Sequence, residues 1–146
     1  MKISKLVVHH SASKAATTKK ADLERWHKER GFAQIGYHKV IEANGSIVEG
    51  RPESTQGAHA QGANMGSLGV CVVGDFETES PAQAQIASLV KVLTEWCKAH
   101  KLNSTSIYGH FNVPGGTTET SCPGKNLKSQ LSIIKQKVTQ NIKTGK

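Results

Sequence analysis

The spacing of apolar positions changes along the chain, and that spacing assigns the elements. Leu6-Val7-Val8-His9-His10 is a short β-branched run closed by polar residues, which predicts a buried strand. Ser11 to Lys19 reads as loop. Thr18 is placed to cap a helix running to about Arg30, with Leu23 and Trp26 turned inward and Gly31 as its stop. Tyr37 to Ile41 predicts a second strand. Ala43-Asn44-Gly45-Ser46 is the clearest turn, because Asn-Gly supplies positive φ at both central positions. Ile47 to Gly50 returns as the other strand of that hairpin. Arg51 to Gly66 is polar, Gly-rich and aperiodic, the pattern of a long surface loop, and such loops often carry function. Leu68 to Val73 reads as a buried strand. Ser80-Pro81-Ala82-Gln83 has capping-box form, with Pro at the first helical position. Ile86, Leu89, Val90, Leu93, Trp96 and Cys97 then recur at helical spacing. Ser106 to Gly109 predicts a short strand that delivers His110. Leu127, Leu131, Ile134 and Val138 mark a terminal helix whose last few residues fray. Strands and helices interleave, so the class is α/β: one domain over 1–146, with a central mixed sheet of about five strands flanked by about three main helices.

Composition narrows the partners. A chain of 146 residues that is 36% hydrophobic supports one real core and leaves no room for a second ordinary domain. Its longest apolar runs are four or five residues, too short for a membrane span. Met1-Lys2-Ile3-Ser4-Lys5 leads straight into the first strand, too short a segment for a signal-peptide core. Lys and Arg outnumber Asp and Glu by 19 to 11, a net charge of +8, which suits an anionic partner or simply a solvated basic surface. With 5% aromatics and no interleaving of aromatic and basic residues, a base-stacking nucleic-acid platform is not expected.

Candidate chemistry lies in the histidines and one cysteine. The chain holds three cysteines, an odd count that argues against a disulfide framework. Cys71 and Cys97 sit among apolar residues and read as small buried hydrophobes. Cys122 differs: it lies in a Pro/Gly loop, twelve positions after His110, across Pro114-Gly115-Gly116. Imidazole and thiolate are good zinc ligands, and a loop between them lets both converge on one ion. Three histidines, His9, His38 and His110, fall at strand ends, where α/β sheets bind ligands. His9 and His10 are adjacent and point to opposite faces, so only one of them joins His110 and Cys122. Three protein ligands plus water is the catalytic zinc pattern. His27 and His100 lie on helices and read as exposed.

Several motifs occur in a fixed order: Val8-His9-His10-Ser11-Ala12, Trp26-His27-Lys28, Gly36-Tyr37-His38, Gly45 to Arg51, Gly57-Ala58-His59-Ala60, Asn64 to Val70, and His110 to Gly124. Together, from about Leu6 to about Leu127, they resemble the zinc-dependent N-acetylmuramoyl-L-alanine amidases of the phage lysozyme and peptidoglycan recognition protein superfamily. The nearest likeness is to the short, single-domain phage type. The resemblance implies zinc held by His9, His110 and Cys122, and hydrolysis of the amide between N-acetylmuramic acid and L-alanine. It places the assisting tyrosine on Tyr37 and the loop histidine on His59. Where many phage enzymes carry a catalytic lysine, this chain has Thr120, which the resemblance implies as a second catalytic residue that helps hold the oxyanion by a hydrogen bond without bringing charge.

His59 and Asn64, in the Gly-rich loop, are candidates to line a glycan or stem-peptide groove. Arg51 is a candidate for a peptide carboxylate or a surface salt bridge. The resemblance implies a monomer with peptidoglycan as partner, without specific nucleic acid or membrane span. It also implies an endolysin held in the cytoplasm until release, which then acts on the wall. Two alternatives stand beside the amidase: a non-catalytic peptidoglycan-binding module, and an amidase that also inhibits an RNA polymerase.

Overall fold

A computed structural model describes residues 2–117 and 119–145. Five strands form one mixed sheet: β1 Lys5–His10, β2 Lys39–Ile41, β3 Ile47–Glu49, β4 Ser67–Val72 and β5 Ile107–Gly109, in the order β3-β2-β4-β1-β5. β1 lies between β4 and β5 and pairs parallel with both, β2 pairs parallel with β4, and only the β2–β3 hairpin is antiparallel. The helices are α1 Lys20–Glu29, α2 Gln83–His100, a single-turn α3 Lys125–Lys128, and α4 Leu131–Thr144. The α/β class, the five mixed strands and the three longer helices match the reading from sequence.

Alternation along β1 sorts the molecule into two layers. Leu6 and Val8 point to one face, where they join Leu68, Val70 and Val72 of β4 and the apolar stripes of α2 and α4, including Leu89, Leu93, Trp96, Ile134 and Val138. Each fully buried side chain of this kind contributes about 1.5–3 kcal/mol. Val7 and His9 point to the other face. Ala60, Ala63 and Val113 from the loops cover Val7, while Leu23 of α1 and Ile35 pack on Val40 and Cys71. Helices therefore seal one face, and one helix with long loops leaves the other open enough for a site.

Several local expectations shift. Thr18 does not cap α1: its hydroxyl donates to Ser13 Oγ, and the Asp22 carboxylate instead accepts the Lys19 N–H at the helix start. Trp26 is 37% exposed, because the inward face of α1 is Leu23 and His27, one turn apart. Tyr37 and His38 precede β2 and are not part of it. Helix α2 starts one residue past Ala82, with Gln85 as its built cap: Oε1 accepts the Ala82 N–H and Nε2 donates to Val73 O. The terminal helix is broken at Ser129–Gln130 into α3 and α4, and α4 ends at Gly145 in the left-handed conformation.

Candidate active site

The C-terminal ends of β1 and β5 bring the site together. His9 is buried at 1% exposure near the end of β1, paired in register with Cys71. His110 follows β5 directly, and its N–H donates to Val8 O. Cys122 returns on the far side of the loop, where its carbonyl accepts the Phe111 N–H and its sulfur accepts the His10 N–H at 3.4 Å. One ligand atom from each of His9, His110 and Cys122 lies within 4.8 Å of the others. His10, one residue on, points into the opposite layer. There its Nδ1 accepts the Phe76 N–H at 3.1 Å and its ring stacks on Phe76.

The donor set fits zinc. His9 Nδ1 faces Cys122 Sγ at 3.6 Å. A tetrahedral ion with Zn–N of about 2.05 Å and Zn–S of about 2.3 Å sets its nitrogen and sulfur about 3.6 Å apart. His110 Nε2 is buried with no hydrogen-bond partner. Burial, with His59 and His110 close by, holds the His9 pKa well below its ordinary value, and burial also lowers His110. Both imidazoles are therefore neutral, as ligands must be. Burial pushes the Cys122 thiol up to about 12, against the pull of the His10 N–H. A cation beside the sulfur would lower that value and favour the thiolate.

A cleft of about 560 Å³ opens over these three side chains. Tyr37 forms one wall, its ring 5.2 Å from His9 and 5.3 Å from His27. Burial, and then the neighbouring Cys71 and Cys122, raises the Tyr37 pKa well above the ordinary phenol value, so the hydroxyl keeps its proton. His59 and Asn64 also line the cleft, as does Thr117. Asn64 Oδ1 accepts the N–H groups of His59 and Ala60, so it clamps the loop. Thr120 is absent from the lining, and its Oγ1 accepts the Cys122 N–H at 3.1 Å. Arg51 lies away from the cleft, its guanidinium spent on the carbonyls of Ile35, Gln56 and Gln34.

One wall of the cleft has no counterpart among the site residues expected from sequence. His27, Arg30 and Phe32 line the cleft, with the Arg30 guanidinium 5.3 Å from the Phe32 ring centroid. His27 is 8% exposed, contrary to the surface position expected for it. Its Nδ1 accepts the Gly36 N–H at 2.9 Å, which leaves the hydrogen on Nε2. The available signal was its spacing of four from Leu23. His100 is the other helical histidine, with 28% of its side chain exposed and Glu53 at 4.0 Å.

The sheet, the His9–His110–Cys122 cluster and the cleft together make an α/β domain with one candidate metal centre among the described residues. The chain belongs to the N-acetylmuramoyl-L-alanine amidase family, whose model matches residues 1–125. It is 33% identical over 132 residues to the endolysin of Escherichia phage T7, covering 84% of this chain and 82% of that protein. It is also 33% identical over 137 residues to peptidoglycan-recognition protein SC2 of Drosophila melanogaster, covering 88% of this chain and 72% of that one. Among solved structures, the N-acetylmuramoyl-L-alanine amidase LysC from Clostridium intestinale superposes with a TM-score of 0.80 at 28% identity, over 91% of this chain and 85% of that one. Among the described residues, no helix is long and apolar enough to cross a membrane.

Proposed function

We propose that this chain is a zinc-dependent amidase that cuts the bond between N-acetylmuramic acid and L-alanine, as an endolysin acting on the wall in the periplasm or outside the cell. The observation that carries the reading is the convergence of His9, His110 and Cys122 at the floor of a cleft walled by Tyr37. Zinc held by these three residues supplies Lewis acidity to the amide carbonyl and to water. Tyr37, protonated through the working pH range, donates its hydroxyl hydrogen toward the oxygen on which charge develops. Thr120 acts one step back, by fixing the backbone of Cys122. The stem peptide is acidic, and it meets Arg30 as the permanent positive charge in the cleft lining, beside the Nε2–H of His27 and the Phe32 ring. Asn64 shapes the cleft through the loop it clamps. Arg51 secures the loop after β3 and leaves substrate contact to Arg30.

The test is mass spectrometry of purified peptidoglycan after incubation with the protein, alongside elemental analysis. The expected result is free stem peptides, intact glycan strands and about one zinc per chain, with chelation abolishing release and zinc restoring it. Binding to the wall without any release supports the non-catalytic module. Release by protein that holds no metal overturns the zinc assignment.

A further inference from the structure

Three histidine rings, His9, His59 and His38, stand in series from the cleft lining inward. His9 Nδ1 faces Cys122 Sγ, and its other nitrogen, Nε2, lies 2.9 Å from His59 Nδ1. The His59 ring in turn stands edge-on to His38, with centroids 5.7 Å apart. His38 is fully spent: its Nδ1 accepts the Gly69 N–H and its Nε2 donates to Thr55 O.

One nitrogen of a neutral imidazole carries the hydrogen and the other offers the lone pair. A lone pair on His9 Nδ1, toward the sulfur, puts the His9 hydrogen on Nε2. In that tautomer the hydrogen is donated to His59 Nδ1. His59 then carries its own hydrogen on Nε2, which is buried within the protein. Neither ring nitrogen of His59 is left for a substrate: one is engaged by His9, and the other is sealed from solvent. The backbone of Ser67 stands beside the His59 ring, and the fold gains an acceptor aimed at His9.

The ring is also held in a fitted slot. A Cβ at Gly69 would stand 2.6 Å from the His59 ring, and one at Gly57 would stand 2.5 Å from its Cδ2. Both positions are glycine because the ring occupies the space that their side chains would take. From below, Asn64 holds the His59 backbone N–H at 2.9 Å.

We propose that His59 is a positioning residue for the metal ligand. It accepts the His9 Nε2–H and so fixes the tautomer and tilt that turn the His9 Nδ1 lone pair toward Cys122 and His110. This rests on the reading of His9, His110 and Cys122 as the zinc-holding set.

Zinc affinity is measured by chelator competition for the wild-type protein, His59→Asn and His59→Phe, with circular dichroism to confirm the fold. His59→Phe removes the acceptor and is expected to weaken zinc roughly 10–100-fold, while His59→Asn, whose amide oxygen stands in for Nδ1, stays within about threefold. Long-range nitrogen–proton NMR of the metal-free wild-type protein is expected to show His9 as the Nε2–H tautomer. Wild-type affinity in a folded His59→Phe overturns the proposal, and so does an Nδ1–H tautomer at His9, which needs no variant. Neither readout involves peptidoglycan. Wild-type protein that takes up no zinc refutes the ligand set itself, a different outcome from a wild-type-like His59→Phe.

Discussion

Tyr37 shows how one side chain acquires a role from where it sits. By sequence it is a tyrosine beside a glycine, and the usual reading is packing. The structure confirms the packing, against the cluster of Leu23, Ile35, Val40 and Cys71, yet also brings its ring beside His9 and into the cleft wall. Gly36 is needed for this: a Cβ there would run into the backbone of Ala58. Desolvation keeps the hydroxyl protonated, as the proposed donor role requires. Tyr37→Phe removes that hydroxyl and little else. The variant is expected to keep its zinc content and its circular dichroism spectrum, while kcat on peptidoglycan falls about 10²–10³-fold, the usual loss for one donor to a developing oxyanion. A variant with more than half the wild-type rate would leave Tyr37 as packing alone.

At the scale of elements, β1 decides the site, because its two adjacent histidines face different layers. His9 joins the cluster with His110 and Cys122, and His10 closes the helix side by accepting the Phe76 N–H. His9→Ala should lose both zinc and hydrolysis. His10→Ala should keep zinc, with its cost appearing as stability: about 1–3 kcal/mol for a buried N–H left unpaired. Zinc content and thermal unfolding of the two variants separate these effects, and zinc lost from His10→Ala but kept by His9→Ala would reverse the faces of the strand. This alternation was legible in the sequence, as were the stripe of α2 and the hairpin at Asn44-Gly45, because each is a local pattern, although Gly45 alone of that pair takes the positive φ expected of both. Capping was less so. Thr18 and Ser80 look like caps, but Thr18 bonds Ser13, and the α2 cap comes from Gln85, anchored to Val73 across the chain. The grouping of His9, His110 and Cys122 was legible through the family resemblance, whereas the wall of His27, Arg30 and Phe32 was not. That wall exists only once α1 and the turn after it are folded against Tyr37.

Taken whole, the molecule buries an unusual share of its histidines, and this makes its stability depend on pH. Of the seven, His9, His10, His27, His38 and His59 are all 8% exposed or less. Burial lowers the pKa of each of these and of His110, with His59 brought down to about 3. Above about pH 6.5 the folded and unfolded chains both hold these rings neutral, and pH has no leverage through them. Below that value the unfolded chain binds protons that the folded chain refuses, so stability falls as the pH falls. For a single group the slope is up to about 1.4 kcal/mol per pH unit, and it ends only at the folded-state pKa. For His59 the decline therefore runs from about 6.5 down to about 3. Between pH 7.5 and pH 5.0 that ring alone accounts for about 2 kcal/mol, or roughly 4–8 °C of Tm in a chain of this size. The other buried rings steepen the fall. Thermal unfolding of the metal-free protein across this range measures it directly, and a Tm that stays flat from pH 7.5 to 5.0 would mean the rings take up protons in the folded state. The zinc-loaded protein should fall more steeply still, because protons also compete with the ion for His9, His110 and Cys122.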